Sequence, residues 1–255
     1  MTTSSPNIND LFFNSSYKHA WKNIIPPGLS EAEAEFIIQE ASLKNGSTVL
    51  DLMCGYGRHA LELGRRGIKV TAIDNLQDYI DEINGLATKE NLPVHGICSS
   101  VTEVNLEDKF DAILNMGNSF SFLDASNAAL LLSMIKNSLH QDGAFIINSW
   151  MVAEIALKYF REHDWHYAGD YKCVLEYQYK FNPSRIESEQ TIISPEGSVE
   201  RLQGIDYIYS LNEMEQMCRE AGLKITAMYS TPKKRTYKLG DGKIYLVIRH
   251  LNWKA

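Results

Sequence analysis

Residues 49–74 read VLDLMCGYGRHALELGRRGIKVTAID, and this stretch decides the fold. Val49 to Leu52 is a short apolar run closed by Gly55 and Gly57, the pattern of a buried strand followed by a tight turn. Helical spacing begins with Ala60, Leu61 and Leu63 and stops at Gly67. Ile68 to Ile73 is β-branched and apolar, as a second buried strand should be. The unit is βαβ, with its glycine turn at the carboxyl end of the first strand, where open α/β sheets bind ligands.

Working outward, the same alternation continues on both sides. Upstream, Ser30 with Glu31 and Glu33 behind it reads as the capped start of a helix running to about Leu43. Downstream, the spacing predicts a helix over 76–88, strands at Val94 to Cys98 and Phe110 to Asn115, and a helix over 125–139. A turn at Gln141-Asp142-Gly143 then leads into a strand at Ala144 to Asn148. Strands alternating with helices imply a parallel sheet with right-handed crossovers.

The rhythm changes after a helix at about Met151 to Phe160. Between Lys172 and Asn182 the residues Cys173, Leu175, Tyr177, Tyr179 and Phe181 share one face of a half-buried antiparallel strand. Two more strands, Arg185 to Ile193 and Val199 to Tyr209, complete a meander. The α/β pattern resumes at Ser210, which forms a capping box with Glu213. A helix to Ala221 and two strands, Leu223 to Ser230 and Lys243 to His250, close the chain. The link between those strands leaves no room for a helix, so they pair antiparallel. The fold expected is α/β: a doubly wound, mostly parallel, Rossmann-like sheet with an antiparallel last strand and an inserted β-meander. The expected division is an N-terminal lid segment over 1–29, a core over 30–150 and 210–255, and the insertion over 151–209.

Composition bounds the function classes. The 255 residues are 44% hydrophobic, with a formal net charge of -7. That balance argues against nucleic acid as a partner, since nonspecific affinity for it comes from Lys and Arg neutralising phosphates. The tight basic triplet Lys233, Lys234 and Arg235 reads as a solvated turn. Four cysteines without paired spacing fit a reducing cytoplasm, with no zinc or disulfide framework. No secretory signal is visible, and no apolar run approaches the ~20 residues that span a bilayer. Met1 to Asn9 is polar and expected to fray.

Gly55-x-Gly57-x-x-Ala60, with Asp74 ending the next strand, fits a loose nucleotide-binding pattern. Glycines let the backbone approach a ligand, and an acid at that strand end accepts hydrogen bonds from two ribose hydroxyls. A bare turn satisfies the same spacing. Asp51 separates two nucleotides: a carboxylate before the turn repels a pyrophosphate but suits a ligand with an ammonium group. It therefore favours S-adenosyl-L-methionine over NAD. An Asp capping the turn through backbone N–H groups is compatible with either.

The stretch 49–74 closely resembles the first two motifs of class I S-adenosylmethionine-dependent methyltransferases of the small-molecule type. The resemblance implies that Asp51, Cys54, Gly55 and Gly57 hold the methionine part, and that Asp74 with Asn75 holds the ribose. Met53 stands where the family often has the first glycine of its loop. FDAILNMGNSFSFL (residues 110–123) is similar to the family's fourth strand and the loop beside the methyl group. It implies Asn115, Met116 and Gly117 at the cofactor and Asn118 at the acceptor. Ser100 and Val101, in Cys98-Ser99-Ser100-Val101, fall where the family contacts adenine. The match covers about Ser30 to Asn148 and Ser210 to His250, and it implies a seven-stranded sheet.

Many small-molecule members of the family cover the active site with an insertion placed as the meander is here. His166, Tyr167 and Tyr171 are thus candidates to wall an acceptor pocket. Tyr17 and Trp21 are open to two readings, a lid over the cofactor or a core stripe. Tyr17, His166 and Tyr171 are candidate general bases, with nothing to choose among them. His163 and His166 are the only close histidine pair, and no clustered carboxylate completes a metal site. The function expected is in-line transfer of a methyl group to a small molecule. The alternatives are an RNA or protein methyltransferase, a non-catalytic protein that binds the cofactor and, last, an NAD-dependent oxidoreductase.

Overall fold

A computed structural model describes residues 8–13, 17–104, 106 and 108–254. The chain opens with two short helices, α1 (Ile8–Phe13) and α2 (Tyr17–Ile24). Then follow α3 (Leu29–Ala41), β1 (Thr48–Leu52), α4 (Arg58–Gly64), β2 (Lys69–Asp74), α5 (Gln77–Glu90), β3 (Val94–Cys98) and β4 (Phe110–Asn115). A 3-10 turn over Ser119–Phe122 leads to α6 (Ala125–Ser138), β5 (Leu139–Ser149) and α7 (Ala153–Tyr159). Four strands come next: β6 (His163–Ala168), β7 (Tyr171–Phe181), β8 (Ser184–Ile193) and β9 (Val199–Tyr207). The chain ends with α8 (Leu211–Glu220), β10 (Leu223–Tyr229) and β11 (Ile244–His250).

The main sheet has seven strands in the order β10-β11-β5-β4-β1-β2-β3. β11 runs antiparallel to both its neighbours, and the remaining pairings are parallel. The order reverses between β1 and β4, which makes the carboxyl ends of those strands the place where a crevice opens. Apolar side chains cover both faces of this sheet. Leu50, Leu52, Ile113, Phe145 and Ile147 pack with α6 and α8 on one side. Val49, Ala72, Leu114, Ile146 and Val247 pack with α3, α4 and α5 on the other. Strands buried on both faces read as continuous apolar runs, which is why the sequence revealed them.

The second sheet has the order β6-β7-β8-β9 and is antiparallel throughout. The meander expected from three strands thus gains a fourth, β6. Its sequence, HDWHYA, is exposed along most of its length and shows no apolar alternation. Cys173, Leu175, Ile192 and Leu202 on one face of the sheet pack against Ala20 of α2, with Phe12, Tyr17 and Tyr177 beside them.

Several expectations need correction. Helix α3 starts at Leu29 behind Gly28, whose left-handed φ of 78° turns the chain, and Ser30 is not the cap. Its hydroxyl lies 3.4 Å from Arg58 Nη1 instead. Asn9 does not fray: its side-chain amide donates to the Ile205 carbonyl (3.0 Å) and accepts from the Ile205 amide (2.9 Å), stapling α1 to β9. Residues 1–7 lie outside the described residues. The expected turn at Gln141-Asp142-Gly143 lies inside a strand that begins at Leu139. The basic triplet is partly paired, with Lys234 on Glu40 and Arg235 on Asp241. No helix among the described residues is long and apolar enough to cross a membrane.

Candidate functional site

The glycine turn leaves β1 through three left-handed residues: Met53 (φ 53°), Gly55 (φ 56°) and Gly57 (φ 76°). A side chain at Gly57 would strike Ile83 of α5, with Cγ1 only 2.5 Å from the added carbon. At Gly55 the equivalent position faces open space, so glycine there serves the backbone conformation and keeps the turn bare. Met53 takes up the left-handed conformation that a glycine would occupy more readily. The amide of Cys54 donates to the Ile73 carbonyl (3.0 Å), fastening the turn to β2.

Two acids flank this turn. Asp74 ends β2 and accepts from the Gly55 amide (2.8 Å) and the Leu76 amide (3.1 Å). Burial pushes its carboxyl up to about 6, against those amide bonds. Asp51 is 1% exposed, and its Oδ2 has no hydrogen-bond partner. Burial raises it to about 7, with Arg58 pulling down and Asp74 pushing up. The Ala60 amide is bonded to this carboxylate, but a buried carboxylate with one oxygen left unpaired is costly unless a ligand completes it. Burial, with Asp51 and Asp74 nearby, also lifts the Cys54 thiol well above its ordinary range, so it stays protonated.

Asn115 and Asn148 extend the pattern along the same edge. Both are buried at the carboxyl ends of β4 and β5, and the Oδ1 of each is unpaired. Three of the four buried side-chain polar atoms left without a partner among the described residues therefore stand at one edge of the sheet. All three are acceptors. Unpaired acceptors at one edge suit a ligand that carries donors or a positive charge.

Behind the turn, Glu33 of α3 is fully buried and gathers Arg58, His59 and Tyr245. His59 Nε2 lies 2.9 Å from Oε2 and the Tyr245 hydroxyl donates to Oε1 at 2.6 Å. Burial pushes Glu33 up, but hydrogen bonds from His59 and Tyr245 and the charge of Arg58 outweigh it and hold the carboxyl well below the usual carboxylate range. Burial and then Arg58 depress His59 to about 4, so it is neutral and its Nε2 carries the donated hydrogen. This cluster fixes Arg58, the first residue of α4, beside the turn. Sequence reading placed Glu33 in the first turn of a helix, where it suits the dipole, and missed the cluster.

Above the edge sits the loop from Met116 to Phe122. Gly117 and Asn118 are left-handed (φ 75° and 74°). Asn118 is buried and joins three elements. Its Oδ1 accepts from the Ser149 hydroxyl (2.7 Å) and the Trp150 amide (3.2 Å), and its Nδ2 donates to Ser121 Oγ and to Asp206 of β9. The helices α1 and α2 close over the loop with a run of rings: Phe13 near Phe122 (5.0 Å), Phe13 near Tyr17 (5.3 Å), Tyr17 stacked on Trp21 (5.8 Å) and Trp21 near Trp150 (5.9 Å). The Tyr79 hydroxyl donates to the Phe13 carbonyl (2.9 Å), and Asn75 donates to Asp10 (2.7 Å), so α1 is tied to the core as well as to β9.

The residues read from the sequence divide into two groups. Asp51, Cys54, Gly55, Gly57, Asp74, Asn75, Asn115, Met116 and Gly117 gather at the carboxyl ends of β1, β2 and β4. Ser100 and Val101 follow β3 at the same edge; Val101 is buried in the core, and the Ser100 hydroxyl is 2.9 Å from that of Thr102. Tyr17 packs beside Tyr171 and Tyr177, while Asn118 faces the insertion. Tyr167 is a correction. Pairing of His166 with Cys173 and of Tyr167 with Lys172 puts alternate residues of β6 on opposite faces, so Tyr167 is 64% exposed on the outer one with Trp165. His166 lies half-buried on the inner face. Asp206 was missed altogether, because a single acid among polar strand residues carries no spacing signal.

Residues 49–143 match a family model described as a methyltransferase domain. The glycine/sarcosine N-methyltransferase of Aphanothece halophytica is 26% identical over 145 residues, covering 55% of this chain and 55% of the relative. The chain thus spans about half the length of that relative. The fold is similar to that of the CcbJ methyltransferase from Streptomyces caelestis, with a TM-score of 0.78 at 15% identity over 89% of this chain and 92% of the other. It is equally similar to an S-adenosylmethionine-dependent methyltransferase from Clostridium acetobutylicum, with a TM-score of 0.78 at 17% identity over 94% and 98%.

Proposed function

The chain belongs to the class I S-adenosylmethionine-dependent methyltransferases, and on that premise we propose that it transfers the donor's methyl group to a small-molecule acceptor. S-adenosylmethionine, when bound, supplies a methyl group already activated by its positive sulfur. What remains for the chain is to bind, align and exclude water.

The observation that carries this reading is Asp51, buried at the end of β1 with an oxygen that nothing in the fold satisfies. An ammonium group completes it, whereas a phosphate does not. Asp74, on the far side of the glycine turn, is the acceptor for a pair of ribose hydroxyls. Gly55 and Gly57 keep the turn open between them, and Asn115 and Asn148 offer acceptors towards the positive sulfur. Each role is a fit of this chain's own donors and acceptors to the cofactor.

Enclosure supports the small-molecule reading. Helices α1 and α2 and the inserted sheet cover the loop at Asn118, with Asn9 and Asp10 bonding across the gap. A side chain on a folded protein or a base in a duplex would have to displace those contacts. Release of S-adenosylhomocysteine tests the reading, with small amines, phenols, thiols and carboxylates compared with total tRNA and unfolded protein. Turnover confined to the macromolecules contradicts it.

A further inference from the structure

We propose that Asp206 binds and deprotonates the acceptor, and that the acceptor is therefore a primary or secondary amine methylated on nitrogen. The inference rests on the methyl-transfer reading above and adds the class of substrate.

Asp206 stands near the end of β9, opposite Ile186, on the face of the inserted sheet that also carries Leu202 and turns towards the core. Two donors from the loop after β4 converge on one oxygen: Ser121 Oγ at 2.6 Å and Asn118 Nδ2 at 3.1 Å, both to Oδ1. Oδ2 has no hydrogen bond among the described residues, and the residue keeps part of its surface accessible. One oxygen is held and the other is left for a ligand. The same Asn118 is anchored on Ser149 and Trp150, so the carboxylate is fixed directly over the loop leaving β4.

No lysine, arginine or histidine pairs with Asp206 among the described residues. The titratable groups around it are Tyr17 from α2, Tyr177 and Cys173 from β7 and, beyond Tyr177, Asp164 from β6. None is a cation. Burial pushes Asp206 up to about 6, against the bonds from Ser121 and Asn118. A carboxylate enclosed without a counter-charge is costly, and a bound cation offsets that cost. An ammonium ion brings the counter-charge that this buried carboxylate lacks, whereas a neutral alcohol or phenol brings none. The chemistry selects nitrogen.

Asp206 Oδ2 accepts one proton from the ammonium and becomes the neutral acid. The freed nitrogen lone pair forms the new N–C bond as the bond from the methyl carbon to sulfur breaks, and that electron pair stays on sulfur. The products are the N-methylammonium ion and the neutral thioether, and Asp206 returns its proton to solvent. Tyr17 and Tyr177 stay protonated throughout, because burial raises both above their ordinary value.

The test uses the full chain with a carbon-13 methyl donor. The acceptors are benzylamine, 2-phenylethylamine and N-methylbenzylamine, each set beside its alcohol. Calorimetry of the same compounds against protein loaded with S-adenosylhomocysteine gives binding apart from turnover. The expected result is N-methyl signals from amines only, and amine affinity at least about tenfold above that of the alcohols. Asp206→Asn keeps both oxygen-directed donors engaged. It should lower turnover about a hundredfold or more, abolish the acid limb of the rate near pH 6 and leave S-adenosylhomocysteine affinity within about twofold. Methyl signals on oxygen, amines that do not bind the loaded protein, or an Asp206→Asn variant with unchanged amine affinity overturn the inference. Failure of S-adenosylhomocysteine to bind the native chain overturns the underlying methyl-transfer reading instead.

Discussion

The amide of Gly55 donates a 2.8 Å hydrogen bond to Asp74 Oδ2, so the acid that ends β2 holds the turn that leaves β1. That bond joins the two halves of the ligand edge. In the proposed reading Asp51 and Asp74 meet the two ends of the ligand across one short turn, and ligand fragments should separate them.

Asp74→Ala removes a charged acceptor and frees the Gly55 amide. It should weaken S-adenosylhomocysteine by about 2 kcal/mol, roughly thirtyfold. Adenosine, which has the ribose but no amino-acid tail, should weaken as much. Competition titrations with both ligands check this. Equal binding of adenosine to native and variant chains would remove the ribose from Asp74.

The pH dependence follows from Asp51. Its carboxyl is raised from about 3.9 in the unfolded chain to about 7 in the fold, by burial first. A group shifted in that direction stabilises the ligand-free fold fully below the lower value and loses that contribution as pH rises through the upper one. A ligand with an ammonium group favours the ionised form and gains over the same window. Stabilisation by S-adenosylhomocysteine, read from thermal melts, should therefore grow between about pH 6 and about pH 8, equivalent to roughly tenfold in affinity. Asp51→Asn should flatten the profile. A native profile already flat would assign Asp51 to the fold alone.

The Glu33 cluster makes a prediction about stability. Glu33→Ala leaves Arg58 and His59 buried beside an apolar gap and Tyr245 without its acceptor. Loss of one partner from such a cluster costs about 3–5 kcal/mol, which urea unfolding would show as a lower midpoint with an unchanged slope. Tyr245→Phe removes a single hydrogen bond to a charged group and should cost about 1.5–3 kcal/mol. Equal losses in the two variants would mean that Glu33 acts through Tyr245 alone.

Gly57→Ala tests the turn. The added carbon would meet Ile83 Cγ1 at 2.5 Å, and the residue would keep a left-handed φ of 76°. Together these should cost about 1–3 kcal/mol or more. Gly55→Ala meets no neighbour and carries only the conformational cost, so the variant at 57 should be the less stable of the two in parallel melts.

Much of this architecture is legible in the sequence for a physical reason. Parallel strands covered on both faces must be apolar throughout, so β1, β2, β4 and β5 announce themselves, and the turn between β1 and α4 needs glycines that local spacing exposes. Asp51 and Asp74 stand out because an acid at the end of an apolar strand breaks the strand's pattern. The rest is hidden where partners are distant in sequence. Glu33 meets Tyr245 across 212 positions and Asp206 meets Ser121 across 85, and no local pattern marks either pair. β6 escaped because an edge strand with most residues exposed shows no alternation. Met53 shows the converse, a left-handed position that this chain fills with methionine where the family often has glycine.

The most direct measurement is calorimetric titration of S-adenosylhomocysteine into the native chain and into Asp51→Asn at about pH 8. The account predicts one-to-one binding to the native chain and an affinity at least about tenfold lower in the variant, with adenosine unaffected by the change. Absence of binding to the native chain, or equal affinity in the two, would contradict it.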